Sequence, residues 1–307
     1  MSSSALDNVT AIESGIHNPD GSKGEELPRL PIRPIEKPIL VIERSQLWIG
    51  FKLGELWSHR ELLYFLVWRD LKVRYKQTLF GIGWVVLQPL LMTVIFTIVL
   101  GRLMNVPSGN VPYPLFAYSG LTLWTFFSAT VSLTSNCLVS NANLITKVYF
   151  PRLIIPIASI IARLVDLGIA CAILILLMFY YGISPSWQLL MAPLFVVLLS
   201  GLALGFGLWT SAVNVKYRDV GLALPVLIQI WMFVSPVIYG LGTVPEKWRP
   251  LFSLNPLVGI LEGFRTALFG GNFQWRPIII SAAITLVLLI YGTYDFRKRE
   301  RMFADVI

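Results

Sequence analysis

The chain has 307 residues, of which 55% are hydrophobic and only 14% are charged, and its mean hydropathy is +0.69. A soluble domain usually carries about 25% charged residues, so this composition excludes an ordinary soluble protein and predicts an all-α integral membrane protein. The net charge of +8 would also suit nucleic acid. The basic residues, however, lie beside apolar segments, so a membrane surface is the expected partner and nucleic acid is not.

The N-terminal region differs from the rest of the chain. Residues 1–40 are polar and rich in Pro, Ser and Gly, without a helical period. This pattern predicts a disordered or extended cytoplasmic segment, which we place at 1–54. It lacks the apolar core of a signal peptide, so no cleavage is expected. A transmembrane domain is predicted at 55–301 and a short cytoplasmic tail at 302–307.

A basic amphipathic helix is predicted at about 55–78, before the first long apolar segment. Its apolar stripe steps by four, three, four and four residues, through Tyr64, Trp68, Leu71, Tyr75 and Leu79. Such a helix lies in the membrane interface, with rings among the headgroups and charges in water. The alternative is an ordinary juxtamembrane anchor that follows the positive-inside bias. Seven residues are assigned to this interface helix, namely Trp68, Arg69, Asp70, Lys72, Arg74, Tyr75 and Lys76. Within it, Asp70 and Arg74 are four residues apart and are predicted to pair.

Six membrane-spanning helices are predicted from the apolar segments, because about 20 residues at 1.5 Å each cross the roughly 30 Å of hydrocarbon in a bilayer. The predicted spans are 80–101, 115–139, 154–181, 189–213, 221–241 and 277–294. Six crossings place both termini on one side. Twelve Lys and Arg residues flank the spans on that side and five on the other, so the richer side is predicted to be the cytoplasm.

The segment between the fifth and sixth predicted spans breaks this pattern. It covers Thr243–Gly271, it is interrupted by prolines and glycines, and its longest uncharged run before Glu262 is 12 residues. That run is too short to cross a bilayer. We therefore predict a pair of short re-entrant or interfacial helices on the external side.

The chain lacks the motifs of a self-sufficient enzyme or pump. It has no G-x-x-x-x-G-K-[ST] loop to hold a nucleotide, and no paired carboxylates at sites where a transferase needs them. We expect no catalytic residue, no metal site and no cofactor in this chain, so energy must come from a gradient or a partner. Arg163 and Asp166, three residues apart in the third span, are predicted to form an intramembrane ion pair. A direct role in substrate passage is the alternative.

Two short cytoplasmic turns combine aromatic and charged residues. They are Lys147–Arg152, after the second span, and Asn214–Val220, after the fourth. A compact knob of this kind can fill a cleft in a soluble partner, where the ring is an anchor and the arginine provides oriented hydrogen bonds. Ordinary positive-inside loops would explain Lys147 and Arg152 but not the Tyr217–Asp219 triplet.

Four strings in this order carry a family resemblance. They are WRDLKVRYKQTLFGIGW…LQPL from Trp68, NANLITKVYFPR from Asn141, NVKYRDV from Asn214, and SPVIYGLGTVPEKWRPLFSLNPLVGILEGFR from Ser235. Over residues 55–301 the chain resembles the membrane subunit, or permease, of ATP-binding-cassette exporters for O-antigen and teichoic-acid-type polysaccharides. The polar N-terminal lead is longer than the family pattern, and Arg163 is not expected within its third span.

The resemblance implies a partner system. Two copies of the permease would pair with two copies of a separate cytoplasmic ATPase, which would bind ATP and Mg²⁺. The interface helix and the short helix after the second span would contact that ATPase, and the short external helices would cap the exit. Position by position, the coupling residues would be Lys147, Tyr149, Phe150, Pro151 and Arg152, with Tyr217, Arg218 and Asp219 at the second contact.

The resemblance also implies a channel between two permeases for a lipid-linked glycan. Sugar CH faces stack on aromatic rings, so aromatic residues on or near the spans are candidates to line it. These are Tyr118, Trp124, Phe126, Phe127, Tyr149, Trp231, Phe233 and Tyr239. Packing against lipid or at the membrane interface is the alternative for each of them.

These features predict the transmembrane subunit of an ATP-driven exporter, which moves an O-antigen-like lipid-linked polysaccharide across the bacterial inner membrane. Within transport, a permease of the same build for a smaller lipid or a drug is the alternative. From another class, the alternative is a membrane-embedded transferase that acts on a polyprenyl-linked sugar. The absence of acidic motifs counts against the transferase.

Overall fold

A computed structural model describes residues 53–76, 81, 83–109, 111–147 and 150–300, and this part of the chain is helical without a β-strand. The all-α prediction is therefore confirmed. The predicted N-terminal segment up to residue 52, Tyr149 and the predicted C-terminal tail lie outside the described residues. The helices are α1 Leu53–Ser58, α2 Arg60–Lys76, α3 Gly83–Phe96 with a π-helical continuation Thr97–Leu103, α4 Tyr113–Ser140, α5 Ala142–Lys147, α6 Ile154–Tyr180, α7 Ala192–Lys216 after a 3₁₀ turn Trp187–Met191, α8 Asp219–Val234, α9 Arg249–Phe252, α10 Pro256–Phe269 and α11 Trp275–Glu300.

Among the described residues, four helical segments are long and apolar enough to cross a membrane. They are Gly83–Leu103, Ile154–Tyr180, Trp187–Lys216 and Trp275–Glu300, and they coincide with the first, third, fourth and sixth predicted spans. The second predicted span falls on α4, which is 28 residues long but rich in Ser and Thr. The fifth falls on α8, which is apolar but has only 16 residues.

Helix α4 occupies the centre of the bundle. It packs against α3, α6, α7, α8 and α10, and 19 of its 28 residues are buried. It begins at a favourable place, because Pro114 sits in the first turn, where a missing N–H removes no helical hydrogen bond. The largest apolar cluster surrounds α4 and includes Tyr118, Phe127, Leu199 and Phe264. We call this cluster the first core.

Two glycines bring the backbones of α7 and α11 into close contact. Gly205 of α7 lies directly against Gly292 of α11, so a Cβ atom on Gly292 would overlap the carbonyl of Gly205. Two glycines at one crossing allow the helix backbones to approach closely, as small residues do in membrane proteins. This contact holds α11 against α7, which in turn packs on α4.

A second core lies where α2, α5 and the beginning of α6 meet the ends of α4, α7 and α11. Leu66 of α2 is 1% exposed and Phe296 of α11 is completely buried. Ile145, Phe150 and Ile154 belong to the same cluster. The interface helix is therefore attached to the bundle by an apolar contact, and α2 packs along α6.

Helices α3 and α8 lie at the periphery of the bundle. Only two of the 14 residues of α3 and two of the 16 residues of α8 are buried. Their exposed side chains are large and apolar, for example Leu91 and Ile95 on α3 and Leu222 and Leu227 on α8. Such surfaces suit lipid or another apolar protein surface rather than water.

Candidate functional site

The interface helix is joined to α6 through one carboxylate. Asp166 of α6 binds Arg74 and Tyr75 of α2, and Arg163 lies 3.1 Å from the same carboxylate. Burial, together with the hydrogen bond to Asp166, raises the pKa of the Tyr75 phenol to about 12. The phenol is therefore neutral at physiological pH and donates a hydrogen bond to Asp166. We call this group of four side chains the Asp166 cluster.

The contact of Arg163 with Asp166 follows their predicted spacing, but the cluster is larger than a pair. The predicted pair of Asp70 with Arg74 is wrong. Asp70 lies 2.9 Å from Arg69, and Arg74 turns towards Asp166. Arg74 binds the Asp166 carboxylate of α6, so a contact between two helices replaces the predicted contact along α2.

The interface helix also contacts the turn between α4 and α5. Arg69 donates to the side-chain oxygen of Asn141 at 2.9 Å, and Asn141 donates to the carbonyl of Cys137 at 2.8 Å. The outer face of α2 remains accessible, since Trp68 is 47% exposed and the Lys72 ammonium lies 4.2 Å from its ring centroid. The predicted helix thus has a face docked on the bundle and an exposed, basic, aromatic face.

The first predicted coupling turn is only partly exposed. Lys147 at the end of α5 is exposed, but Phe150 is 6% exposed and packs in the second core. The Phe150 ring is therefore not presented at the surface, because the apolar ends of several helices surround it, and its coupling role stays a prediction. The Arg152 guanidinium donates to the main-chain carbonyl of Glu300, and the main-chain N–H of Arg152 donates to the Glu300 carboxylate at 3.3 Å. Pro151, which lies between Phe150 and Arg152 in the chain, is half-buried.

The second predicted coupling turn is exposed. Tyr217 is 55% exposed, and Arg218 and Asp219 are also at the surface. The turn is held from behind by Asn214, which donates to Asn136 at 3.0 Å and accepts from the N–H of Gly221 at 3.0 Å. Sequence reasoning missed this amide pair. The available signal was one asparagine near the end of each of two apolar spans.

Four of the predicted channel aromatics are core residues. Tyr118 and Phe127 are completely buried, and Phe126 and Trp124 are 4% and 7% exposed. A path between two protomers must be lined by side chains at the protomer surface. These four side chains are thus hardly exposed at the protomer surface, because α4 is central and most of its faces meet other helices, and their assignment to the channel stays a prediction.

The other three described candidates lie at the end of α8. Trp231 packs edge-on against Phe127 and Phe206, each at 5.4 Å between ring centroids. Phe233 is 57% exposed, and its carbonyl accepts a hydrogen bond from the Tyr239 hydroxyl at 2.9 Å. Phe233 and Tyr239 line an apolar groove of about 530 Å³ against α3 and its π-helical end.

A buried arginine fixes the segment between α8 and α10, residues 235–255. Arg265 of α10 is 4% exposed and donates to the carbonyls of Pro236, at 2.7 Å, and Val237. Its guanidinium carbon lies 3.7 Å from the ring centroid of Phe116 on α4. One guanidinium nitrogen lies 3.4 Å from the carboxylate of Glu262. In the sequence, Arg265 counts only among the five basic residues predicted on the side opposite the cytoplasm. Its three-residue spacing from Glu262 on an apolar helix was the signal.

In the part of the chain that the structure describes, no three His, Cys, Asp or Glu side chains lie together as a metal site would require. The site is thus a set of exposed turns, a docked interface helix and an apolar groove. Such a set is suited to contacts with proteins and lipids.

The family model described as ABC-2 type transporter matches residues 61–269, from α2 to the end of α10.

The chain belongs to the ABC-2 type transporter family. It is 30% identical over 260 residues to the O-antigen export system permease protein RfbA of Myxococcus xanthus, which covers 82% of this chain and 98% of that protein. It is 28% identical to the protein of the same name from Klebsiella pneumoniae, over 84% and 98% of the two chains. The polysialic acid transport protein KpsM of Escherichia coli is 28% identical over 76% and 91%.

The family assignment confirms the resemblance inferred from the four sequence strings. The matched region of this ABC-2 type transporter contains the interface helix, both turns, the apolar groove and Arg265. These features therefore lie in the part of the chain that matches the family model.

Proposed function

We propose that the chain is the transmembrane subunit of an ATP-driven exporter that moves a lipid-linked polysaccharide out of the bacterial cytoplasm. The observation that carries this proposal is the family match together with similarity to O-antigen permeases over nearly their whole length. The chain itself supplies the passage and no catalytic group. The apolar groove beside α3 is suited to the lipid part of such a substrate.

The chain crosses the membrane six times, through the four long apolar segments and through α4 and α8. Helix α4 tolerates its hydroxyl groups because other helices surround it. Helix α8 is short, but the chain continues beyond it through the buried stretch Ser235–Ile238. Helix α10 has 14 residues, of which 11 are buried, so it is re-entrant and shielded by protein.

Two contacts identify the ends of the bundle. Gln188, before α7, donates to the carbonyl of Gly271 at 3.0 Å, which places these two loops at the same end. At the other end, the start of α6 meets the end of α11 through Arg152 and Glu300. The second end carries the predicted excess of Lys and Arg and is assigned to the cytoplasm with both termini.

A separate ATPase subunit binds at the cytoplasmic end. The exposed face of α2, Lys147 and the Tyr217–Asp219 turn are the contact surface, and two permeases assemble with two ATPases. The peripheral faces of α3 and α8 support this assembly, because both are apolar and exposed in one protomer. The channel then forms between the two copies.

The test is deletion of the gene in its natural host, followed by complementation. We expect surface polysaccharide to disappear and its lipid-linked precursor to accumulate in the cytoplasmic membrane. Complementation with the wild-type gene should restore the glycan, and an ATPase subunit should co-purify with the tagged chain. Normal surface glycan in the deletion strain, with no accumulated precursor, would contradict the proposal.

A further inference from the structure

A second, smaller pocket lies beside the apolar groove. It is formed within the α8–α10 segment, has a volume of about 230 Å³, and is lined by Tyr239, Thr243, Val244, Pro245, Trp248 and Phe252. Three of these six side chains are aromatic. Tyr239 and Thr243 also line the apolar groove, so the two cavities are neighbours.

We propose that this pocket, which we call the aromatic exit pocket, binds a single sugar ring of the exported glycan as it leaves the transporter. The inference rests on the proposed function, which supplies a glycan and places this segment on the external side. Sugar CH faces pack on aromatic rings, whose faces and edges have different polarity. A surface rich in rings with few charges holds a sugar without trapping it.

The pocket is accessible to a ligand. Trp248 is 57% exposed, and Pro245 beside it is also exposed. The wall behind them is fixed, since Val244 is 7% exposed and its carbonyl accepts a hydrogen bond from the Nε of Arg249 at 3.1 Å. An exposed ring on a fixed wall loses little conformational freedom on binding.

Polar groups stand next to the ring in the chain. The side chains of Glu246 and Arg249 are 88% and 42% exposed, and they are separated by 3.6 Å. A carboxylate accepts hydrogen bonds and a guanidinium donates them, and a sugar hydroxyl can do both. This pair can therefore exchange its long mutual contact for bonds to a hydroxylated ring.

The size of the pocket also favours a sugar ring. Sites for drug-sized ligands span roughly 300–1,000 Å³, so a cavity of about 230 Å³ suits one ring and not a long chain. The neighbouring groove is larger, about 530 Å³, and lined mainly by aliphatic side chains and Phe. An alkyl chain fits the groove better than the aromatic exit pocket.

The experiment measures binding of short oligosaccharides, released from the surface polysaccharide of the organism that carries the gene. The full-length chain is placed in lipid nanodiscs without sugar-based detergent, and binding is followed by saturation-transfer NMR. We expect Trp248→Ala to weaken binding about tenfold, as loss of one ring contact implies. Trp248→Phe should retain most of it. Trp187→Ala is the matched control, since Trp187 is 72% exposed and lies outside the pocket.

Two results would overturn the assignment. One is sugar binding that is absent in the wild-type chain or equal in Trp248→Ala and Trp187→Ala. The other is loss of a spin-labelled fatty acid, instead of sugar, from Trp248→Ala, which would make the pocket an acyl site. Failure of the proposed function is seen separately, as unchanged surface glycan in the deletion strain. The two failures are therefore distinguishable.

Discussion

Asp166 and Arg265 are both charged side chains in largely apolar surroundings, and they are stabilised in different ways. Asp166 is bound by three side chains, two of which come from another helix. The side chains of the two arginines among them are 22% and 24% exposed. Arg265 is bound mainly by main-chain carbonyls at the corner after α8, and its side chain is 5% exposed.

The difference lies in what each group would meet if its contact were lost. Arg74 and Tyr75 of α2 would then reach headgroups and water, which can solvate them. The carbonyls of Pro236 and Val237 cannot leave Arg265 unless the chain corner refolds. The Asp166 cluster thus suits the end where the proposed ATPase would bind, and Arg265 suits a fixed frame at the proposed exit.

The largest effect is expected for Arg265→Met, which keeps the volume but removes every donor. Two buried carbonyls and Glu262 lose their partner, and breaking such a buried site costs about 3–5 kcal/mol. The measurement is the thermal unfolding of the purified chain, followed by labelling of Cys137, a thiol that is buried in the folded state. The protein should unfold at a clearly lower temperature or fail to accumulate.

Arg249→Met is the matched control for this substitution. Arg249 lies in the same segment, but its side chain is 42% exposed, so its loss should change the free energy of unfolding by less than about 1 kcal/mol. Equal unfolding temperatures for the two variants would show that Arg265 does not fix the corner.

A smaller effect is expected for Asp166→Asn, which leaves Arg74 and Arg163 without an anion. Because both arginines are partly exposed, solvent screening reduces the cost to about 1–3 kcal/mol. Hydrogen exchange should increase in α2, which loses its main polar tie to α6. Asp70→Asn is the control, since Asp70 pairs with its neighbour Arg69 on the same helix. Identical exchange in both variants would mean that the second core alone holds α2.

Local features of this fold could be predicted from the sequence. The 3.6-residue period predicts the interface helix, and the length of the apolar segments predicts four spans that are long apolar helices in the structure. The spacing of Arg163 and Asp166 predicted that they share a helix face. Each of these inferences needs only residues that are close in the chain.

The contacts between helices could not be predicted in this way. Arg74 is 92 residues from Asp166, and no period relates them. The resemblance predicts Phe150 as a coupling residue, and the stacking of sugars on rings predicts Tyr118 as a channel residue, but the burial of each ring depends on which helices surround it. Hydropathy likewise describes α4 poorly, since five of its nine Ser and Thr residues are buried in the bundle.

The third prediction compares the two arginines of the Asp166 cluster. From spacing alone, Arg163→Ala would leave Asp166 unpaired, yet Arg74 remains beside it in the structure. We therefore expect Arg163→Ala to cost about 0.5–1 kcal/mol, within the range of an exposed pair. Arg74→Ala should cost more, about 1–2 kcal/mol, because it also removes a contact between helices. The reverse order in the thermal unfolding assay would exclude Arg74 as the main tie.

A small effect, similar to that of Arg163→Ala, is expected for Tyr75→Phe, which removes one hydroxyl group and leaves the ring. A hydrogen bond to a carboxylate contributes about 0.5–1.5 kcal/mol when part of it is exposed to solvent. Tyr64→Phe, on the same helix but 72% exposed, should change nothing measurable. The decisive measurement combines Tyr75→Phe with Asp166→Asn in a double-mutant cycle of unfolding free energies. Since the phenol donates to that carboxylate, the two losses should be non-additive by about 0.5 kcal/mol or more. Strict additivity would place Tyr75 outside the cluster and leave Arg74 as the polar tie between α2 and α6.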